Sequence, residues 1–174
     1  MRLFIAAELP EALFEALSET SALLREQVRG RYVAPDRFHV TLAFLGETDA
    51  ARVGEIAELI DDACADMGPI HARLGALGSF GRRKSATLWQ AVESDGALEE
   101  LAGALRARLR DAGLSFDDKG FLAHMTLMRS ADLTSGALPM PLMARGEIDT
   151  VALFKSDLSG PHPVYTALHT AVLG

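Results

Sequence analysis

The chain repeats itself. Slid against itself by 85 positions, the sequence aligns without a gap its opening apolar strand, the helix that follows and a later strand with one polar face. Leu3 falls on Leu88, Ala6 on Ala91, Glu8 on Glu93, Leu13 on Leu98, Leu24 on Leu109 and Arg25 on Arg110. His39 falls on His124, Thr41 on Thr126 and Leu42 on Leu127, since 124 minus 39 and 126 minus 41 are both 85. Ala- and Leu-rich helices align with themselves by accident, but histidine is too rare for the two His-x-Thr-Leu tetrapeptides to share that excuse. Half of the chain is 87 residues, close to the offset, so the sequence predicts a duplicated lobe. At 174 residues the two halves share one core, which makes residues 1–174 a single domain of two intertwined lobes.

The elements follow from periodicity. Arg2 to Leu9 reads as a buried strand closed by Pro10, and Leu13, Leu17, Leu24 and Val28 recur at helical spacing from Glu11 until Gly30. Phe38 to Leu45 alternates, with Phe38, Val40, Leu42 and Phe44 on a core face and His39, Thr41 and Ala43 on the other. Asp49 to Met67 is a second amphipathic helix whose buried stripe includes Cys64 as a core filler. Ile70 to Phe80 and Thr87 to Glu93 form a hairpin around Gly-Arg-Arg-Lys-Ser, and Leu98 to Leu109 is a helix ending at Gly113. Phe121 to Met128, Glu147 to Lys155 and Val164 to Val172 complete a tally of three helices and seven strands.

On a strand, His and Thr at i and i+2 point to one side, so each lobe presents an imidazole beside a hydroxyl. Two lobes related by a pseudo-twofold axis bring both pairs to a shared cleft. An imidazole gains or loses a proton near neutral pH, so two of them supply one acid and one base. Around a phosphodiester, one would activate water and the other protonate the departing oxygen, while Thr41 and Thr126 bond the non-bridging oxygens; no metal or other cofactor is needed. Arg129 would add a bidentate cation for the phosphate, but strict alternation turns it away from His124 unless the strand ends or bulges first.

Weaker candidates surround these. Arg82, Arg83 and Lys84 would suit RNA phosphates at the cleft mouth, although a solvated hairpin tip explains the same cluster. Phe80 and Trp89 could stack a base, with Trp89, the counterpart of Phe4, more simply read as core. Tyr165 and His169 share one strand face and are candidates for the cleft wall, whereas His71 and His162 lack any pattern.

Composition narrows the classes. Lys+Arg 17 against Asp+Glu 24 leaves a net charge of −7, which argues against coating nucleic acid through bulk charge, so an anionic substrate must be held locally. The single Cys64 excludes an intramolecular disulfide and a Cys-rich metal site and fits a reducing compartment. The apolar start ends at Glu8, too soon for a signal peptide, and no stretch approaches the ~18 apolar residues of a membrane span. The expectation is a cytoplasmic monomer without a membrane partner. A zinc site on His39 and His124 is disfavoured, since neither motif supplies further ligands at strand or helix spacing. A binding module that keeps the cleft without turnover is the remaining rival.

Taken together, His39-Val-Thr-Leu42 and His124-Met-Thr-Leu127 resemble the paired His-x-Thr motifs of the two-histidine (2H) phosphoesterases. Arg2-Leu-Phe-Ile-Ala6, Phe38 to Gly46, Leu88-Trp89, His124 to Arg129 and Tyr165-Thr-Ala-Leu168 extend the likeness along nearly the whole chain, to the LigT-like RNA 2',3'-cyclic phosphodiesterases, also called 2'-5' RNA ligases. The resemblance implies an α+β bilobal fold with two pseudo-twofold-related antiparallel sheets lining a central cleft and helices outside. It implies metal-independent opening of an RNA 2',3'-cyclic phosphate to a 2'-phosphomonoester, with His39 as proton donor and His124 as acceptor, an order that sequence chemistry alone leaves open. RNA or an oligonucleotide with such an end is the implied partner; 2'-5' ligation and small cyclic nucleotides are variations on the same cleft. Ala123 departs from the proline that the family often carries before its second histidine.

Overall fold

A computed structural model describes all of residues 1–174. Nine strands form two antiparallel sheets. The first has the order β3 (Val40–Glu47), β1 (Arg2–Ala7), β8 (Thr150–Asp157), β9 (Val164–Val172). The second runs β2 (Arg31–Tyr32), β6 (His124–Ala131), β5 (Ser85–Glu93), β4 (Ile70–Arg82), β7 (Arg145–Ile148). The repeat is visible in this order, because β1 and β3 occupy one sheet as β5 and β6 occupy the other.

The first and third helices start within one residue of where periodicity puts them and pack across the lobes. α1 (Glu11–Arg25) follows Pro10 and buries Leu13, Leu17 and Leu24, but its neighbour is β7 of the second sheet: a Cβ added at Gly146 would lie 2.8 Å from the Pro10 ring. α3 (Ala97–Asp111) buries Leu98, Leu101, Leu105 and Leu109 and packs against β3 of the first sheet. α2 (Val53–Ala65) begins four residues later than its periodicity suggests, because Asp49 first caps a 3-10 turn by accepting from the Ala51 N–H at 2.9 Å. One continuous core of 38 buried residues results, so neither lobe has a core of its own.

Two features escape the periodic reading. Glu147 to Lys155 reads as one strand, yet the chain divides at Asp149 into β7, an edge of the second sheet, and β8, an interior strand of the first. The carbonyl of Asp149 accepts from the Leu173 N–H at 2.8 Å, which anchors the crossing. The two-residue β2 has too little length to carry a pattern. It lies on β6 because Gly30 has no side chain: a Cβ there would be 2.9 Å from the Ala131 Cα and the Ser130 carbonyl oxygen.

Candidate active site

The two sheets enclose a cleft of about 630 Å3 whose wall includes His39, Thr41, His124, Thr126, Arg129 and Tyr165. The motifs are direct neighbours there, since the backbone N–H of His39 donates to the Met125 sulfur at 3.2 Å. Each ring is tethered the same way. His39 Nδ1 lies 2.7 Å from the carbonyl oxygen of Arg37, and His124 Nδ1 lies 2.5 Å from that of Leu122, two residues upstream in both cases. A carbonyl only accepts, so Nδ1 carries a proton in each imidazole and Nε2 is the atom whose protonation changes. His39 Nε2 meets the Thr41 hydroxyl at 2.9 Å.

A bulge at the same point of each motif decides what else faces the cleft. On β3, Thr41 pairs with Ala6 and Ala43 with Ile5, leaving Leu42 as the extra residue; on β6, Thr126 pairs with Trp89 and Met128 with Leu88, leaving Leu127 extra. Leu42 and Leu127 are repeat counterparts, 85 residues apart. A bulge reverses the alternation beyond it. Arg129 is thereby turned onto the side of His124 and Thr126, which removes the objection from strict alternation. Its counterpart Phe44, expected in the core, is likewise turned out to line the cleft, where the Arg2 guanidinium lies 4.7 Å from its ring centre. The bulge carbonyls do not go unsatisfied. Arg106 of α3 donates to Leu42 O at 3.1 Å, and the Val33 N–H donates to Leu127 O at 2.9 Å.

The aromatic surroundings of the two rings differ. Phe4 lies 4.9 Å from His39 between ring centres, with Tyr165 edge-on at 5.5 Å and Phe154 at 6.4 Å. Beside His124 stand Trp89 at 5.7 Å and Phe80 edge-on at 5.5 Å. Trp89, read as core by analogy with Phe4, is half-buried against His124; its room comes from Gly78, where a Cβ would sit 2.3 Å from the indole. Phe80 stands beside this histidine rather than on the cleft wall.

Electrostatics separate the lobes further. Burial pushes the His39 imidazole down to about 4, against the opposing hydrogen bond to Arg37 O, and the positive charges of Arg129 and His124 add to the fall. His39 is therefore neutral at pH 7 in the empty cleft. Arg2, Arg31 and Arg37 join Arg129 on the wall, and no Asp or Glu does, so a chain of net charge −7 concentrates positive charge at one place.

Other candidates fall elsewhere. Arg82, Arg83 and Lys84 are exposed at the β4–β5 turn and none lines the cleft; Arg83 donates to Leu133 O at 3.0 Å. His169 leaves the face of Tyr165 because Leu168 is the extra residue of a bulge against β8, and its Nε2 meets Asp61 of α2 at 2.7 Å. His71 faces Glu147 at 3.4 Å away from the cleft, while His162 lies on the cleft wall. The residues that periodicity missed, Arg2, Arg31, Arg37 and His162, sit at a strand end, on the two-residue strand or in turns, where no alternation operates. No three His, Cys, Asp or Glu side chains converge as a metal-ligand set, and no helix is long and apolar enough to cross a membrane.

This architecture and cleft have close parallels. The structure of E. coli LigT complexed with 3'-AMP superposes with a TM-score of 0.84 at 26% identity, covering 99% of this chain and 97% of that one, so the α+β bilobal LigT-like fold is the one adopted. An RNA 2',3'-cyclic phosphodiesterase of Thermus thermophilus is 31% identical over 97% of this chain and 88% of its own length. One from Geobacillus stearothermophilus is 30% identical over 72% of this chain, which spans only 41% of that relative. The sequence model of the 2'-5' RNA ligase superfamily matches residues 9–158, a span holding both His-x-Thr motifs and both bulges, and the chain belongs to that superfamily.

Proposed function

We propose that the chain is an RNA 2',3'-cyclic phosphodiesterase that opens the cyclic end to a 2'-phosphomonoester by acid-base catalysis between His39 and His124. The observation that carries this reading is the matched pair of tethered imidazoles on one cleft wall, each with a threonine of its own motif beside it and no carboxylate competing for the substrate.

In the reaction, Nε2 of His124 takes a proton from water as its oxygen attacks phosphorus. The bond from phosphorus to the 3' oxygen breaks, and Nε2–H of His39 protonates that oxygen, leaving the phosphate on the 2' position. Thr41, Thr126 and Arg129 hold the non-bridging oxygens. His39, held neutral at pH 7 chiefly by its burial, binds a proton more readily once the phosphate's negative charge lies beside it. A 5' hydroxyl in place of water makes the same step a 2'-5' ligation.

The cleft is complete within one chain, which supports a monomer. The single cysteine, Cys64, leaves no intramolecular disulfide to form, which suits a reducing cytoplasm.

Incubation with an oligoribonucleotide 2',3'-cyclic phosphate, with and without EDTA, tests the reading through identification of the product. The expected product is the 2'-phosphate, formed equally with the chelator. Loss of turnover in EDTA would favour a metal-dependent route, turnover of mononucleotides alone a small cyclic-nucleotide enzyme, and binding without product a recognition module.

A further inference from the structure

Arg31 and Arg129 are direct cross-strand partners on β2 and β6, both exposed on the cleft wall. Like charges in that position repel. Nothing on the protein compensates them: neither arginine forms an ion pair, no carboxylate lines the cleft, and the nearest partner of Arg31 is the Ser130 hydroxyl at 3.5 Å. The pair is nonetheless built firmly. Gly30 lets the β2 backbone lie on β6, the Val33 N–H ties it to the Leu127 bulge, and Ser130, directly after Arg129, adopts a φ of +52° that non-glycine residues rarely take. Two adjacent unpaired guanidinium forks held in this way are complementary to more negative charge than one phosphodiester carries.

We infer that Arg31 binds a second phosphate of the substrate, the one on the 5' oxygen of the nucleoside whose cyclic phosphate is opened, while Arg129 holds the reacting phosphate. The inference rests on the function proposed above and deepens it by naming the residue that reads the phosphate on the 5' side of the terminal nucleoside, whether a terminal monoester or the next linkage of an RNA strand. The residue sets specificity and takes no part in proton transfer.

Product binding tests this without turnover, so the result stands even if ring opening proves not to be the reaction. Calorimetry would compare adenosine 2'-phosphate with adenosine 2',5'-bisphosphate on the native chain, Arg31→Gln and Arg31→Lys. The native chain is expected to bind the bisphosphate at least ~10-fold tighter, a charge-assisted contact's worth. Arg31→Gln should bring that ratio below ~3, and Arg31→Lys, which keeps the charge and loses the fork, should fall between. Adenylyl-adenosine 2'-phosphate separates the two sources: binding as tight as the bisphosphate assigns the site to an internal strand phosphate, weaker binding to a terminal 5'-monoester, and either supports a second-phosphate site. A native ratio near one, or an equal loss of both ligands in Arg31→Gln, would overturn it.

Discussion

The two halves of the cleft carry the same tetrapeptide, the same Nδ1 tether and the same bulge, yet they are chemically unlike. Around His39 the first sheet stacks Phe4 on Phe154 at 5.2 Å and turns Phe44 into the cleft; around His124 the second pairs Trp89 with Gly78 and turns out Arg129. Duplication supplied symmetric backbone, and side-chain divergence made the halves unlike: aromatic packing buries one imidazole and keeps it neutral, while Arg129 stands on the strand of the other.

Removing either ring breaks the comparison outright. His39→Ala and His124→Ala should each lose about 10²–10⁴ in kcat on a cyclic phosphate, the usual worth of a positioned acid or base. A substrate with a p-nitrophenolate leaving group distinguishes them, since that group departs unprotonated: it should restore most of the His39→Ala loss and little of the His124→Ala loss, and the opposite pattern would exchange donor and acceptor.

Arg129→Gln should cost about 10²–10³ in kcat/KM, in the range seen when a preorganised charge stabiliser is lost. It should also move a pH limb. In the free enzyme the donor His39 loses its proton as pH rises through about 4, so kcat/KM falls along that limb; without the neighbouring cation the limb shifts to higher pH. An unmoved limb in a full pH profile would mean that Arg129 does not act on His39.

The walls can be perturbed more gently. Gly78→Ala places a methyl group 2.3 Å from the Trp89 indole, so overpacking of about 1–3 kcal/mol is expected in denaturant unfolding, with a drop in kcat as His124 loses its neighbour. Stability should also depend on pH. The folded state refuses a proton on His39 that the unfolded chain accepts near 6.5, so stability should decline as pH falls from about 6.5 to about 4. The His39→Gln variant should decline less over that window in thermal melts.

Much of this molecule was legible in its residues. The repeat forecast the paired sheets, and the histidine–threonine spacing forecast which side chains meet in the cleft. The errors share one cause. Phe44 assigned to the core and His169 placed beside Tyr165 both assume unbroken alternation, and bulges at Leu42 and Leu168 interrupt it, as the one at Leu127 lifts the objection to Arg129. A bulge is visible only in the pairing of two strands, so neither strand alone betrays it. Asp149 hid for a related reason: it is the one residue between β7 and β8, and only the choice of partner strands sends them to different sheets.

By itself, then, the sequence determined the chemistry available: two imidazoles, two hydroxyls, a duplicated frame and an apolar pattern strong enough to bury it. What only the tertiary structure decided is where those groups stand and how they titrate. Register, the crossing of α1 and α3 onto each other's sheets and the gathering of four arginines around one cleft depend on contacts between residues far apart in the chain. Proton affinity depends on burial and on neighbouring charge, and both arise only once the two sheets close around the cleft.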